Sequence, residues 1–261
     1  MALFLHIGLS KTGTTFLQNW LISPTVRIEL RKQFQLTQRI HESNLIWNLI
    51  KDEILALGLN YHDPLEKFFN YKKISVPVLS QISHIMSNDM EGSGQNFLYS
   101  AEGFSDLAVF NKDFVDSQSF EQIIKKFKEH GDLHKGLKII LTIRKQDQFI
   151  ESMYMQNVRT GSILNFDEYL DWFPTGNLNW LALIEKLETL IGTGNVIVLP
   201  YEVVIQISNS YIHFIQPFLQ NLDNRIKVDL LSKRGYGNIS HISGFNTMTE
   251  IPYANPSLSP D

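Results

Sequence analysis

Cysteine is missing altogether from the 261 residues of this chain. That removes disulfides, thiolate metal sites and thiol nucleophiles together, and it fits a reducing cytoplasm. Also missing is any excess of positive charge: 23 Lys and Arg stand against 27 Asp and Glu, with a formal net charge of -4. A chain that grips nucleic acid or an anionic membrane by bulk charge would be basic, so neither partner is expected. A local basic patch could still serve a polyanionic acceptor. No uncharged apolar run approaches the ~20 residues that span a bilayer, so no integral membrane segment is expected. The apolar start, Met1-Ala2-Leu3-Phe4-Leu5-His6-Ile7-Gly8, lacks a basic stretch and a small-residue cleavage site. It reads as a strand rather than a leader, and a cytoplasmic location is the expectation.

What is present suits one α/β domain. The hydrophobic fraction is 43%, enough for a sizeable core in a chain of this length. Four short runs are apolar at successive positions, as parallel strands covered on both faces are: Leu3–Ile7, Asn96–Ser100, Lys138–Ile143 and Val196–Leu199. Helix-like segments separate them, at Thr14–Leu21, Phe120–Glu129, Gln148–Val158 and Leu178–Leu190, with Gly192 and Gly194 marking a break before the last strand. Such alternation predicts a doubly wound fold around a mostly parallel sheet. Residues 25–87 read as a mainly helical insertion punctuated by Pro64 and Pro77. One domain over 1–249 is expected, and the Pro- and Ser-containing tail 250–261 is expected to be extended and flexible.

The strongest local signal is Gly8-Leu9-Ser10-Lys11-Thr12-Gly13-Thr14-Thr15, set between a buried strand and a helix. Glycines let the backbone turn tightly and approach a ligand, while the free N–H groups of a helix start and its dipole favour an anion. Lys11 adds a positive charge, and Thr14 and Thr15 add hydroxyl donors. Against the nucleotide-triphosphatase loop GxxxxGK[ST], Gly8 and Gly13 have the right separation and Thr15 takes the magnesium-binding place. Thr14, however, stands where the essential lysine belongs, and the lysine comes earlier, at Lys11. Two further features end other strands. Arg144 closes the third, where open α/β sheets bind ligands, and Ser152 follows on the next helix, for which Asp147 reads as N-cap. The segment Tyr99-Ser100-Ala101-Glu102-Gly103 closes the second, and a glutamate there suits a general base.

Lys11-Thr12-Gly13-Thr14-Thr15 after a short strand resembles the 5′-phosphosulfate loop of sulfotransferases that use 3′-phosphoadenosine 5′-phosphosulfate (PAPS). The resemblance implies a P-loop-like sulfotransferase fold, PAPS as cofactor and adenosine 3′,5′-bisphosphate as product. It places Ser10, Lys11, Thr12, Gly13, Thr14 and Thr15 at the 5′-phosphosulfate, with Lys11 also stabilising the bridging oxygen as the bond to sulfur breaks. It places Arg144 and Ser152 at the 3′-phosphate, and Tyr154 with Gln156 extends the likeness to the bacterial branch. Lys233-Arg234-Gly235-Tyr236-Gly237-Asn238 is similar to the segment that folds over the 3′-phosphate, which adds Arg234 and Gly235. A surface turn is the other reading of it. Glu102 matches the glutamate that some members use as base, and His6 is the second choice.

The remaining histidines, at 41, 62, 84, 130, 134, 213 and 241, are read as scattered, and no metal is expected. The partner implied is a hydroxyl- or amine-bearing acceptor, with a carbohydrate or glycolipid as the guess. Its pocket would draw on the 25–87 insertion and on aromatics such as Trp47, Tyr61, Phe68 and Trp172. Two alternatives stay open: a metal-dependent P-loop kinase of small molecules, and a non-catalytic nucleotide-binding module. Oligomeric state is not legible.

Overall fold

The computed structural model describes residues 3–9, 37–58, 70–90, 97–101, 103–159, 161 and 163–202. Its elements run β1 (Leu3–Gly8), α1 (Thr37–Ala56), α2 (Val76–Met90), β2 (Phe97–Ser100), α3 (Gly103–Val109) and α4 (Gln118–Asp132). They continue as β3 (Leu137–Ile143), α5 (Gln146–Arg159), α6 (Phe166–Trp172), α7 (Trp180–Ile191) and β4 (Val196–Pro200). Residues 14–21 and the tail 250–261 lie outside the described set, as do residues 25–36 and 59–69 of the insertion.

All four expected strands are present and join one sheet in the order β2-β1-β3-β4, every pairing parallel. β1 lies in the interior of this sheet and is buried at every position. That explains why its sequence is apolar without alternation. Its odd-numbered side chains Leu3, Leu5 and Ile7 join Phe97, Tyr99, Leu137, Ile139 and Leu141 in one continuous core. The even-numbered Phe4, Leu98 and Ile140 are equally buried on the opposite face.

α4 forms because Phe120, Ile123, Ile124 and Phe127 recur at helical spacing and all go into the core. Ser117 caps it by accepting from the N–H of Phe120, and Lys125, Lys126 and Glu129 occupy the outer side. α7 buries Leu183, Leu187 and Ile191 at intervals of four and stops at Gly192, whose φ of +93° suits glycine. Helices α4 and α7 touch each other and lie against β3.

α5 begins two residues before the expected Gln148, so Asp147 sits inside its first turn instead of capping it. An acidic residue is as welcome in the first turn as at the cap, because both meet the positive end of the helix dipole. Pro77 opens α2 within its first turn, where a missing N–H costs nothing, so it starts the helix rather than breaking the insertion. No helix among the described residues is long and apolar enough to cross a membrane.

Candidate active site

The chain passes from β1 outward to β2, returns across β1 to β3, and continues to β4. The direction of winding therefore reverses between β1 and β3, and in open parallel sheets the crevice beyond the carboxyl ends at such a point is where ligands bind. β1 reaches this rim at Gly8, opposite Thr142 of β3. Its exit is held from two sides. The N–H of Leu9 donates to the carbonyl of Thr142 at 3.0 Å, and the buried hydroxyl of Ser105 donates to the carbonyl of Gly8 at 2.8 Å.

Arg144 stands two residues beyond Thr142, at the same rim. Its carbonyl accepts the indole N–H of Trp180 at 2.8 Å, and its guanidinium lies over the ring of Tyr201 at 5.1 Å from the centroid. The next N–H, that of Lys145, donates to Oε1 of Glu202 at 2.8 Å. Tyr201 and Glu202 fasten the end of β4 to the turn that carries Arg144. Trp180 went unnoticed, since nothing local marks an indole as the partner of a carbonyl 36 residues away. Burial pushes the Tyr201 phenol up, against the pull of the Arg144 charge, so the contact joins a cation to a neutral ring.

Ser152 is half-buried on the second turn of α5. Ala101 and Gly103, which flank Glu102, are both placed. The N–H of Ala101 donates to the carbonyl of His6 at 3.0 Å, and Gly103 opens α3 against the indole of Trp47. Trp47 meets Phe104 edge to face as well, which makes it a packing residue; Trp172 is 37% exposed on α6. Ser10, Lys11, Thr12, Gly13, Thr14, Thr15, Glu102, Arg234 and Gly235 lie outside the described residues, as do Tyr61 and Phe68.

His6 is placed, and its surroundings correct its standing as second choice of base. The ring is fully buried, with Nδ1 2.9 Å from Oγ of Ser100 and Nε2 3.0 Å from Oγ1 of Thr142. One nitrogen donates and the other accepts, so the neutral imidazole ties together three adjacent strands. Burial lowers its pKa from 6.5 to about 3. A base must reach its substrate, and this ring is enclosed in the sheet.

His130 and His134 stand four apart, a spacing that the reading of scattered histidines passed over. α4 ends at Asp132, however, so the pair does not share a helix face, and His134 lies against Phe97. No group of three or more His, Cys, Asp or Glu placed to hold a metal ion occurs among the described residues.

No protein-family model matches the chain, and no curated protein matches it. Among solved structures it is similar to retinol dehydratase in complex with androsterone and inactive cofactor PAP. That match has 14% identity, covers 89% of this chain and 63% of that one, and has a TM-score of 0.41. The chain thus spans less than two thirds of that protein. It is also similar to a sulfotransferase from Alicyclobacillus acidocaldarius, with 12% identity, 88% and 89% covered and a TM-score of 0.42. A gluconokinase from Sinorhizobium meliloti 1021 matches with 13% identity, 85% and 98% covered and a TM-score of 0.34. Overlaps this loose favour no one chemistry, and function has to be sought in the chain's own residues.

Proposed function

We propose that this chain is a sulfotransferase that moves a sulfuryl group from PAPS to a hydroxyl or amine acceptor. The observation that carries the reading is the rim itself. The strand leading into Gly8-Leu9-Ser10-Lys11-Thr12-Gly13-Thr14-Thr15 and the strand ending in Arg144 are neighbours at the point where the winding reverses. PAPS has two separated anionic groups, and on this reading the loop that follows Gly8 and Arg144 at the end of β3 are their two anchors.

The residues present fit that group. On this reading Ser10, Lys11 and Thr12 to Thr15 bind the 5′ end. Arg144, whose carbonyl and guanidinium are both held by neighbours, presents its planar fork to the 3′-phosphate, with Ser152 as a hydroxyl donor. Arg234 and Gly235 cover it. PAPS, when bound, supplies the sulfuryl group. Glu102 takes the proton from the acceptor, and Lys11 offsets negative charge on the departing bisphosphate. With no covalent step asked of the protein, rate comes from alignment and from donors aimed at developing charge. The acceptor carries a hydroxyl on a carbohydrate or glycolipid.

Calorimetric titration with adenosine 3′,5′-bisphosphate, against ATP with magnesium, tests the reading. Tight binding of the bisphosphate is expected; preference for ATP with magnesium would replace this proposal with a kinase. In a turnover assay with labelled PAPS, Lys11→Ala and Glu102→Ala should each lose activity, the second with bisphosphate affinity intact. Undiminished turnover in either variant removes that residue from its role.

A further inference from the structure

Three buried polar side chains meet beneath the rim and have no part in the chemistry proposed above. His6, Ser100 and Thr142 are closed off from solvent on β1, β2 and β3 in turn. The imidazole spans the other two, with Nδ1 at 2.9 Å from Oγ of Ser100 and Nε2 at 3.0 Å from Oγ1 of Thr142. Stability does not require this polarity, because replacing all partners by apolar groups of the same shape is close to neutral. What the bonds add is direction. A satisfied polar network fixes how its members sit, where apolar contacts let them slide.

The place of the network shows what that direction serves. His6 and Ser100 form the last pair of the β1–β2 ladder, and Thr142 belongs to the last pair of the β1–β3 ladder, opposite Gly8. The network therefore staples the two ladders where they end. Two residues further along each chain segment stands a residue that matters to the proposed reaction: Gly8, where the loop begins, then Glu102 and Arg144. One imidazole thus ties the three strand ends that lead to all three. Spacing at such a place counts, since a misplacement of about 1 Å costs on the order of a hundredfold in rate.

We infer that His6 is a positioning residue, which through Thr142 and Ser100 holds the phosphosulfate loop and Arg144 at the separation PAPS requires and fixes the strand end before Glu102 beside them. The inference rests on the sulfotransferase reading, which gives those places their ligand and their base. His6 itself touches no substrate and moves no proton.

A ligand that uses both anchors senses their spacing, and a ligand that uses one does not. The full chain is titrated by calorimetry with adenosine 3′,5′-bisphosphate, adenosine 5′-phosphate and adenosine 3′-phosphate. In the wild type the bisphosphate should bind about tenfold or more tighter than either monophosphate, the scale of one charge-assisted bond. His6→Leu combined with Ser100→Ala and Thr142→Val makes the network apolar and should melt near the wild-type temperature. Each monophosphate should bind this variant within about twofold of its wild-type affinity, while the bisphosphate's margin shrinks by about threefold or more. If the triple variant does not melt cooperatively, Thr142→Val alone is read in its place, with the same expectation. It cuts the link from β1 to β3 and keeps the side chain's shape.

A margin kept in the variant overturns the inference. So does an equal weakening of all three ligands, or the failure of both variants to fold, since either makes the network a support of the fold alone. A wild-type chain that binds the bisphosphate no tighter than the monophosphates loses the sulfotransferase reading as well. One that shows the margin, and keeps it in the variant, loses only this inference.

Discussion

The guanidinium of Arg144 rests on the ring of Tyr201, and the N–H of Lys145 is bonded to the carboxylate of Glu202. Two consecutive residues at the tip of β3 are thereby clamped by two consecutive residues at the tip of β4. The Tyr201 contact uses the face of the ring and not the hydroxyl. Tyr201→Phe should therefore leave affinity for adenosine 3′,5′-bisphosphate near the wild-type value. Tyr201→Leu removes a cation–π contact of about 0.5–2 kcal/mol. Calorimetry should then read a two- to thirtyfold weaker complex, by the usual conversion of about 1.4 kcal/mol per tenfold. Equal affinities for wild type and Tyr201→Leu would show that the ring does not position Arg144 for the ligand.

His6 gives a prediction with a sign. In the fold its pKa is lowered from 6.5 to about 3 by burial. Between those values the unfolded chain binds a proton that the folded chain refuses, so stability rises with pH across this window and falls on acidification. The slope approaches about 1.4 kcal/mol per pH unit, or about 2 kcal/mol lost on descending from the upper edge to about pH 5. Urea denaturation at neutral pH and near pH 5 measures it. His6→Gln should be less stable at neutral pH, because the fit between Ser100 and Thr142 is disturbed, yet it should lose this share of the acid sensitivity. An identical pH slope in the two proteins would show that His6 is not held neutral.

The same histidine shows where legibility in the sequence ends. β1 and β3 could be read as unbroken apolar runs because interior parallel strands meet no water on either face. The partners of His6 could not be read, since Ser100 and Thr142 are 94 and 136 residues away. Strand order is of the same kind: the reversal between β1 and β3 exists only once Gly8 and Thr142 are paired. On α5 the buried pair is Phe149 and Met153, which the sequence alone does not single out from their neighbours. A mixed, half-exposed helix has no stripe sharp enough to fix its phase. α6 was missed because seven residues are too few to show a period, although its capping box is spelled out in Asn165 and Glu168. In the site, Arg144 was legible as a strand-ending cation. Its supports Trp180 and Tyr201, and the bond from Glu202 to the neighbouring Lys145, depend on contacts that span tens of residues.

Gly103 follows the proposed base and has no room for a side chain. A Cβ there would come within 2.2 Å of Cε2 and Cζ2 of Trp47, whose indole covers the start of α3 and meets Phe104 edge to face. Gly103→Ala must push that indole aside, at about 1–3 kcal/mol for overpacking. Trp47→Leu on top of Gly103→Ala should recover part of the loss, because the smaller side chain vacates the space. Thermal melts of the single and double variants read this directly. A Gly103→Ala protein as stable as wild type would mean that Trp47 moves freely, and the close approach would then not explain the glycine.

Within the insertion, one carboxylate joins α1 to the segment that leads into α2. Glu53 of α1 accepts the phenol of buried Tyr71 on Oε2 at 2.5 Å and the N–H of Ser75, just before α2, on Oε1 at 2.9 Å. The carbonyl of Tyr71 in turn accepts from Asn111, and the N–H of Ile74 donates to Gln122 of α4. Burial, followed by the bond to Glu53 and its charge, pushes the Tyr71 phenol up, so it remains a donor at any ordinary pH. Removing the acceptor is therefore worse than removing the donor. Glu53→Ala strands a buried hydroxyl and an N–H, at about 1–3 kcal/mol for each unsatisfied group. Tyr71→Phe leaves a half-exposed carboxylate that keeps its bond from Ser75, at about 1 kcal/mol. The double variant should cost less than the two single losses added, since Phe at 71 no longer asks for an acceptor. Denaturation midpoints for the four proteins close this cycle, and additive losses would show that the pair contributes nothing as a pair.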